Sequence, residues 1–558
     1  MPALPRIALL AALLASVWPH DVRADPKTVC TITVNSADER ETFRRNLPPD
    51  QYRFVELVER GRPDWLASAC RKGVQCDVLL ISGHFDGGDE FYSDKVDARE
   101  SLPVDEMERV SCSDSCPALF SRLKEVYLFG CNTLNPEAVQ SASAEVVRSL
   151  LRSGHSQADA EALAEVLSER HAQSNRERMR EIFKDVPVIY GFSSKAPLGR
   201  SAAPVLDRYL QTGGAAEIAT GRASAKLLAL FAPVSMTVAA GSSERDPQAG
   251  YRRDVCHFSD DRLSAAQKLD FVHALLQRDM AEVRMFLEHL EKYSPALTEA
   301  SRSEPTAADA LAGIAADRSA RDRYLEFMRD ADQMAVRARM IGLAERLGWL
   351  TPAEKRAELI AMIDDRLARA TVGAQDVDLV CTLNREHALD DTLDALARVL
   401  ADRMRDVGHA GIVACLGSPA GHARVLQAMT SARDDDVQMA QVYLRHRPII
   451  DVSELRVVTA GIARMSNQDA QVRALDTLAL HRLTDETSLD SLTHLFPVTK
   501  SLEVQRAIAG ILIRADYQAI AKPELVEALR THRRKSADGQ DLIDILIRRL
   551  QASLSPAA

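Results

Sequence analysis

Residues 77–88 read DVLLISGHFDGG, and residues 125–136 read EVYLFGCNTLNP. In each stretch an unbroken apolar run ends in a glycine, and the glycine is followed by one reactive side chain, His84 or Cys131. Runs of this kind suit parallel strands covered on both faces. Two more candidates flank them: TVCTITV (28–34), with alternating β-branched residues, and VPVIYGF (186–192). Between them, SAEVVRSLLRSG and ADAEALAEVLSERHAQSNRERMREIF, within 137–183, place apolar residues three and four apart. That spacing predicts two helices parted near Gly154. Strands alternating with helices predict an α/β fold over 25–245, a mostly parallel sheet with flanking helices.

In an open α/β sheet, ligands bind beyond the carboxyl ends of the strands. His84 and Cys131 both follow such an end, so neighbouring strands would bring them to one rim. A cysteine nucleophile needs a base to take its proton. Histidine serves near neutral pH. The oxyanion formed on attack needs fixed donors. Candidates are the Cys131 amide and an amide from the Gly83–Gly88 turn, with Gly83, Phe85 and Gly130 as the backbone positions concerned. Gly83 and Gly130 also permit a sharp exit from each strand. For the walls of a substrate pocket the candidates are Asp86, in an acidic loop with Asp89 and Glu90, and Ser193 and Ser194 in GFSSKAPLG (191–199).

A strand ending in Ser-Gly-His, followed by a strand ending in Gly-Cys, resembles the caspase-like cysteine peptidases. That group includes the caspases, gingipains, separases and bacterial CHAT-type peptidases. VPVIYGFSS and SAAPVLDRYLQTGGAAEIA (201–219) look like the corresponding CHAT elements, so the resemblance covers about 28–240. It implies a cysteine endopeptidase with His84 as general base and Cys131 as nucleophile, needing no cofactor or third orienting residue. Many members carry glycine after the histidine. Here Phe85 keeps the backbone N–H but narrows or re-aims the oxyanion site. Two other readings stand beside this one: an inactive caspase-like scaffold that binds a protein partner through its helical region, and acyl transfer to an amine.

At 558 residues the chain is too long for a single core. After GSSERDPQAG (241–250), read as a polar linker, strand signals fade. Residues 246–370 read as a helical linker domain interrupted by a loop at LTEASRSEPTAADA (297–310), and 371–558 as an all-α domain. There QVRALDTLALHRL (471–483) matches EVQRAIAGILIRA (503–515), with DVQMAQVYLRHR (436–447) a weaker copy. The period looks like HEAT-type repeats forming a solenoid, with an irregular helical bundle as the alternative. A solenoid implies a protein substrate or regulator held on its face.

Arg6, the apolar IALLAALLASVW (7–18) and the small-residue end at Ala24 predict a signal peptide over 1–24 and export to the periplasm or medium. LLALFAPVSMTVAA (227–240) is too short to span a bilayer and reads as core. Export favours disulfides among the nine cysteines. Proximity in sequence suggests Cys112–Cys116, Cys70–Cys76 and Cys381–Cys415, then Cys30–Cys256, with Cys131 left over. A formal charge of −10 gives no footprint for nucleic acid. Phosphate-loop, dinucleotide and zinc motifs are missing from the sequence, and no metal is expected.

Overall fold

The structure is a computed structural model that describes residues 25–57, 65–85, 88–93, 100–112, 116, 118–137, 143–171, 174–392, 406–481, 483–515, 520–534 and 541–554. The expected signal peptide, Asp86 and Gly87 lie outside the described residues. The chain forms two compact units, dividing after Ala320.

The first unit is built on a six-stranded sheet. In chain order its strands are β1 (Lys27–Thr33), β2 (Tyr52–Glu56), β3 (Val78–Ser82), β6 (Glu125–Phe129), β7 (Val188–Phe192) and β8 (Met236–Ala239). A separate hairpin joins β4 (Glu90–Tyr92) and β5 (Ser101–Pro103). The sheet order is β2-β1-β3-β6-β7-β8, parallel throughout except for β8. Every residue of β3, β6 and β7 is buried, which is why these strands read as apolar runs without alternation. One face packs Ile32, Leu79, Ile81, Val126, Leu128 and Ile189 against α2 (Trp65–Arg71), α3 (Val104–Cys112) and α6 (Asn175–Ile182). The other packs Val29, Leu80, Tyr127 and Tyr190 against α1 (Asp38–Asn46), α7 (Gly199–Gln211) and α8 (Ala225–Phe231). The result is a sheet sandwiched between two helical layers.

Residues 143–182 hold three helices where two were expected: α4 (Ser143–Arg152), α5 (Gln157–Arg170) and α6, the last capped by Ser174. The apolar stretch 227–240 divides into α8 and the edge strand β8, with Pro233 in the turn between. GSSERDPQAG is not a free linker. Ser242 and Gln248 are buried, and the Ser242 amide donates to Arg180 O.

Beyond it, α9 (Ala249–Ser259), α10 (Ala265–Leu276), α11 (Met280–Met285), α12 (Leu287–Ser303) and α13 (Pro305–Ala316) belong to the same unit as the sheet. Cys112–Cys256 joins α3 to α9, and a buried Arg284–Glu145 ion pair of 2.8 Å joins α11 to α4. The expected boundary at 245 is thus crossed by covalent and ionic ties. The loop expected at 297–310 is helical but for Glu304. Pro305 stands at the first position of α13, where its missing N–H costs nothing.

Cys381–Cys415 pairs as expected, and Cys131 is free. The other pairings differ from the sequence reading: Cys30–Cys76, Cys70–Cys116 and Cys112–Cys256 replace the near neighbours. Cys112 ends α3 and faces α9, so it cannot also meet Cys116, which lies against α2. Four disulfides accord with an oxidising, exported setting. Among the described residues no helix is long and apolar enough to cross a membrane.

The second unit is all helical among its described residues. From 419 onward, successive helices fall into two layers: 434–446, 468–478, 502–512 and 542–554 stack in one, and 419–428, 452–462, 486–498 and 523–532 in the other. The repeat seen in sequence is a repeat of contacts. Gln471 Nε2 donates to Ile462 O, and Gln505 Nε2 to Phe496 O, the same step back in each helix pair. Short helices of this kind are held by their caps, here Ser418, Asp451, Asn467, Asp485 and Ser501.

Candidate functional site

Strands β3 and β6 are hydrogen-bonded neighbours, with Ser82 opposite Phe129. His84 and Cys131 each come two residues after that last pair, so they leave the sheet at the same level. The Gly83 amide extends the ladder by donating to Phe129 O at 3.1 Å. A Cβ on Gly130 would stand 2.8 Å from Phe85 Cβ and 3.0 Å from Gly83 O. Glycine is therefore demanded at 130 by close packing between the two strand ends.

The backbone of His84 is pinned by a pair of 2.9 Å bonds with Tyr92 of β4, and the two rings lie 5.4 Å apart. Its Nε2 is shielded from solvent. Phe85 turns into the core and packs against Phe91 with ring centroids 4.6 Å apart, so its side chain leaves the rim instead of crowding it. On the other strand, Cys131 is partly exposed, and its Sγ accepts from the Ala196 amide at 3.3 Å. Asn132, directly after it, has φ +59°, a left-handed conformation that asparagine tolerates. Its amide donates to Ser194 O at 2.6 Å.

His84 and Cys131 share one cleft, lined after β1 by Asn35, Ser36 and Glu39, after β3 by His84, after β6 by Cys131, and after β7 by Ala196–Gly199. It lies at the carboxyl ends of the parallel strands and spans the place between β1 and β3 where the strand order reverses, the usual ligand position in such sheets. The two motif residues are thus brought to one rim.

Other expected positions fall differently. The Gly83 and His84 amides are engaged, with Phe129 O and Tyr92 O. Among the described residues none accepts the amide hydrogen of Cys131 or Phe85, which leaves these two open as donors. Ser193 and Ser194 turn their hydroxyls to Ser235, and the pocket wall from this segment is Ala196–Gly199 instead. Asp89 is an exposed partner of Arg178 at 3.8 Å. Neither it nor Glu90 lines the cleft.

Glu39, Asn35 and Ser36 escaped the sequence reading. Their signal was position alone: they follow the first strand, beside the reversal point. Glu39 is 2 % exposed, and burial, with Asp38 adjacent, pushes its carboxyl up to about 7. A fourth missed residue, Asn175 of α6, donates from Nδ2 to Asn132 O at 3.0 Å, and its Oδ1 lies against Gly88. One amide side chain therefore braces the loops that follow both His84 and Cys131. Among the described residues no group of His, Cys, Asp and Glu is placed to hold a metal.

No protein-family model, curated protein or solved structure matches the chain.

Proposed function

We propose that the chain is an exported cysteine endopeptidase of caspase-like type, with Cys131 as nucleophile and His84 as general base. One observation carries this reading. Of nine cysteines, eight are in disulfides, and the one free thiol lines a cleft with a histidine at the same level of the adjacent strand. A thiol kept free in a chain that otherwise bonds its cysteines suits chemistry better than packing.

In the proposed reaction Cys131 Sγ attacks the scissile carbonyl carbon and forms a carbon–sulfur bond, while His84 takes the thiol proton. The Cys131 amide holds the oxyanion. Collapse of this intermediate breaks the carbon–nitrogen bond, and His84 returns the proton to the leaving amine. Water, deprotonated by the same imidazole, then releases the acid and restores the thiol. The two-layered helical array, HEAT-like in its period, would present a protein substrate or regulator.

The test is cleavage of a peptide library by the full chain, read by mass spectrometry. Wild type is expected to cut, Cys131→Ala to fall below detection, and His84→Ala to lose at least about 100-fold. Cleavage that survives in Cys131→Ala, or no cleavage by reduced wild type, would overturn the proposal. The second outcome would favour a non-catalytic scaffold. Adding glycine amide separates hydrolysis, which leaves a free acid, from transfer, which leaves an amide.

A further inference from the structure

Glu39 is hard to explain as a structural residue. It sits in the first turn of α1, almost fully buried, and its Oε2 has no hydrogen-bond partner. A buried polar oxygen without a partner is costly, and a leucine or methionine would fill the same volume without that cost. The charge that bears on it is another acid, Asp38, and among the described residues the cleft lining contains no lysine or arginine to compensate. Asn35, Ser36, Ala196, Pro197 and Gly199, all uncharged and small, are among the other residues of the lining. Glu39 therefore lines the same cleft as Cys131; its own backbone amide serves the carboxyl, but among the described residues nothing serves Oε2.

We infer that Glu39 is the selecting group of this cleft, which takes a cationic side chain of the lysine or arginine class next to the bond presented to Cys131. The inference rests on the peptidase reading and names the substrate class of the same site. A guanidinium or ammonium supplies both what Oε2 lacks and the charge that stabilises an ionised carboxylate; the carboxyl proton then leaves to solvent. An acidic side chain would repel it, and an apolar one would bury it still unpaired. Of the acidic loop considered from sequence, Asp89 and Glu90 do not line the cleft.

The experiment uses the full chain and peptidyl acyloxymethyl ketones that differ only in the residue beside the ketone: arginine, lysine, citrulline, norleucine or glutamate. Adduct formation on Cys131 is followed by intact mass. Each rate is divided by the norleucine rate, so a general loss of reactivity cancels. Arginine or lysine is expected to exceed citrulline and norleucine at least 10-fold, with glutamate slowest, and Glu39→Gln to bring the cationic ratio close to one. A norleucine or glutamate probe that matches the cationic ones, or a ratio unchanged in Glu39→Gln, overturns the inference. Should that variant fail to fold, protection of wild-type Cys131 from iodoacetamide by benzamidine, with benzyl alcohol as the neutral control, decides the same question. That protection also separates the two proposals. Protection by the cation with no labelling by any peptidyl probe retains the cation site and refutes the peptidase, whereas labelling without cation preference does the reverse.

Discussion

A carboxyl held neutral by its surroundings leaves a thermodynamic signature. For Glu39 the unfolded chain ionises near 4.5, while burial first and Asp38 second raise the folded value to about 7. As pH climbs from 4.5 to 7 the unfolded state loses its proton and the folded state does not, so stability present below 4.5 drains away. Over that window the loss is roughly 3 kcal/mol. Glu39→Gln carries no such titration. Its unfolding free energy from urea titration, relative to wild type, should improve from pH 4 to pH 8 by about that amount, and a constant difference would show that the carboxyl ionises in the folded chain as it does in the unfolded one. Gly130 poses a steric problem instead. A methyl group there meets Phe85 and the Gly83 carbonyl, so Gly130→Ala should cost about 1–3 kcal/mol in thermal unfolding and slow the labelling of Cys131.

Among the elements, those most legible in sequence are the ones whose environment is uniform. β3, β6 and β7 are buried on both faces, and β1 nearly so, and such strands announce themselves as apolar runs. The edge strands β2 and β8 have mixed burial and carry little signal of their own. Glycine before His84 and before Cys131 marked the strand exits, so the paired level of the two residues could be anticipated. Glu39 could not: an acid in a helical first turn normally reads as a favourable charge on the helix dipole, and only tertiary packing buries this one. Residues 297–310 misled because serine, proline and threonine suggest a loop, yet the proline merely opens α13. At this scale the Arg284–Glu145 pair is the sharpest test of how α11 holds α4. Arg284→Ala leaves a buried carboxylate alone and should cost about 3–5 kcal/mol, whereas Glu145→Met with Arg284→Met should be near neutral. Guanidinium denaturation of both variants measures the contrast.

Across the whole chain, cysteine connectivity shows where sequence distance fails. Cys30–Cys76 and Cys70–Cys116 each close 46 residues, and Cys112–Cys256 closes 144, because strand order and helix layering, not proximity along the chain, set which sulfurs meet. Only Cys381–Cys415, within a stack of sequential helices, obeyed proximity. Its 34-residue loop contributes about 4 kcal/mol by chain entropy. Cys381→Ala with Cys415→Ala should therefore lower the unfolding transition of residues 321–558 and leave that of the sheet-bearing unit in place, which calorimetry can resolve.

The most direct measurement is the rate at which a peptidyl acyloxymethyl ketone modifies Cys131 at neutral pH, in wild type and in His84→Ala. The dyad predicts one adduct per chain, on Cys131, formed about 100-fold more slowly without the imidazole. A sulfur that stays unmodified, or one that reacts equally fast in both proteins, would contradict it.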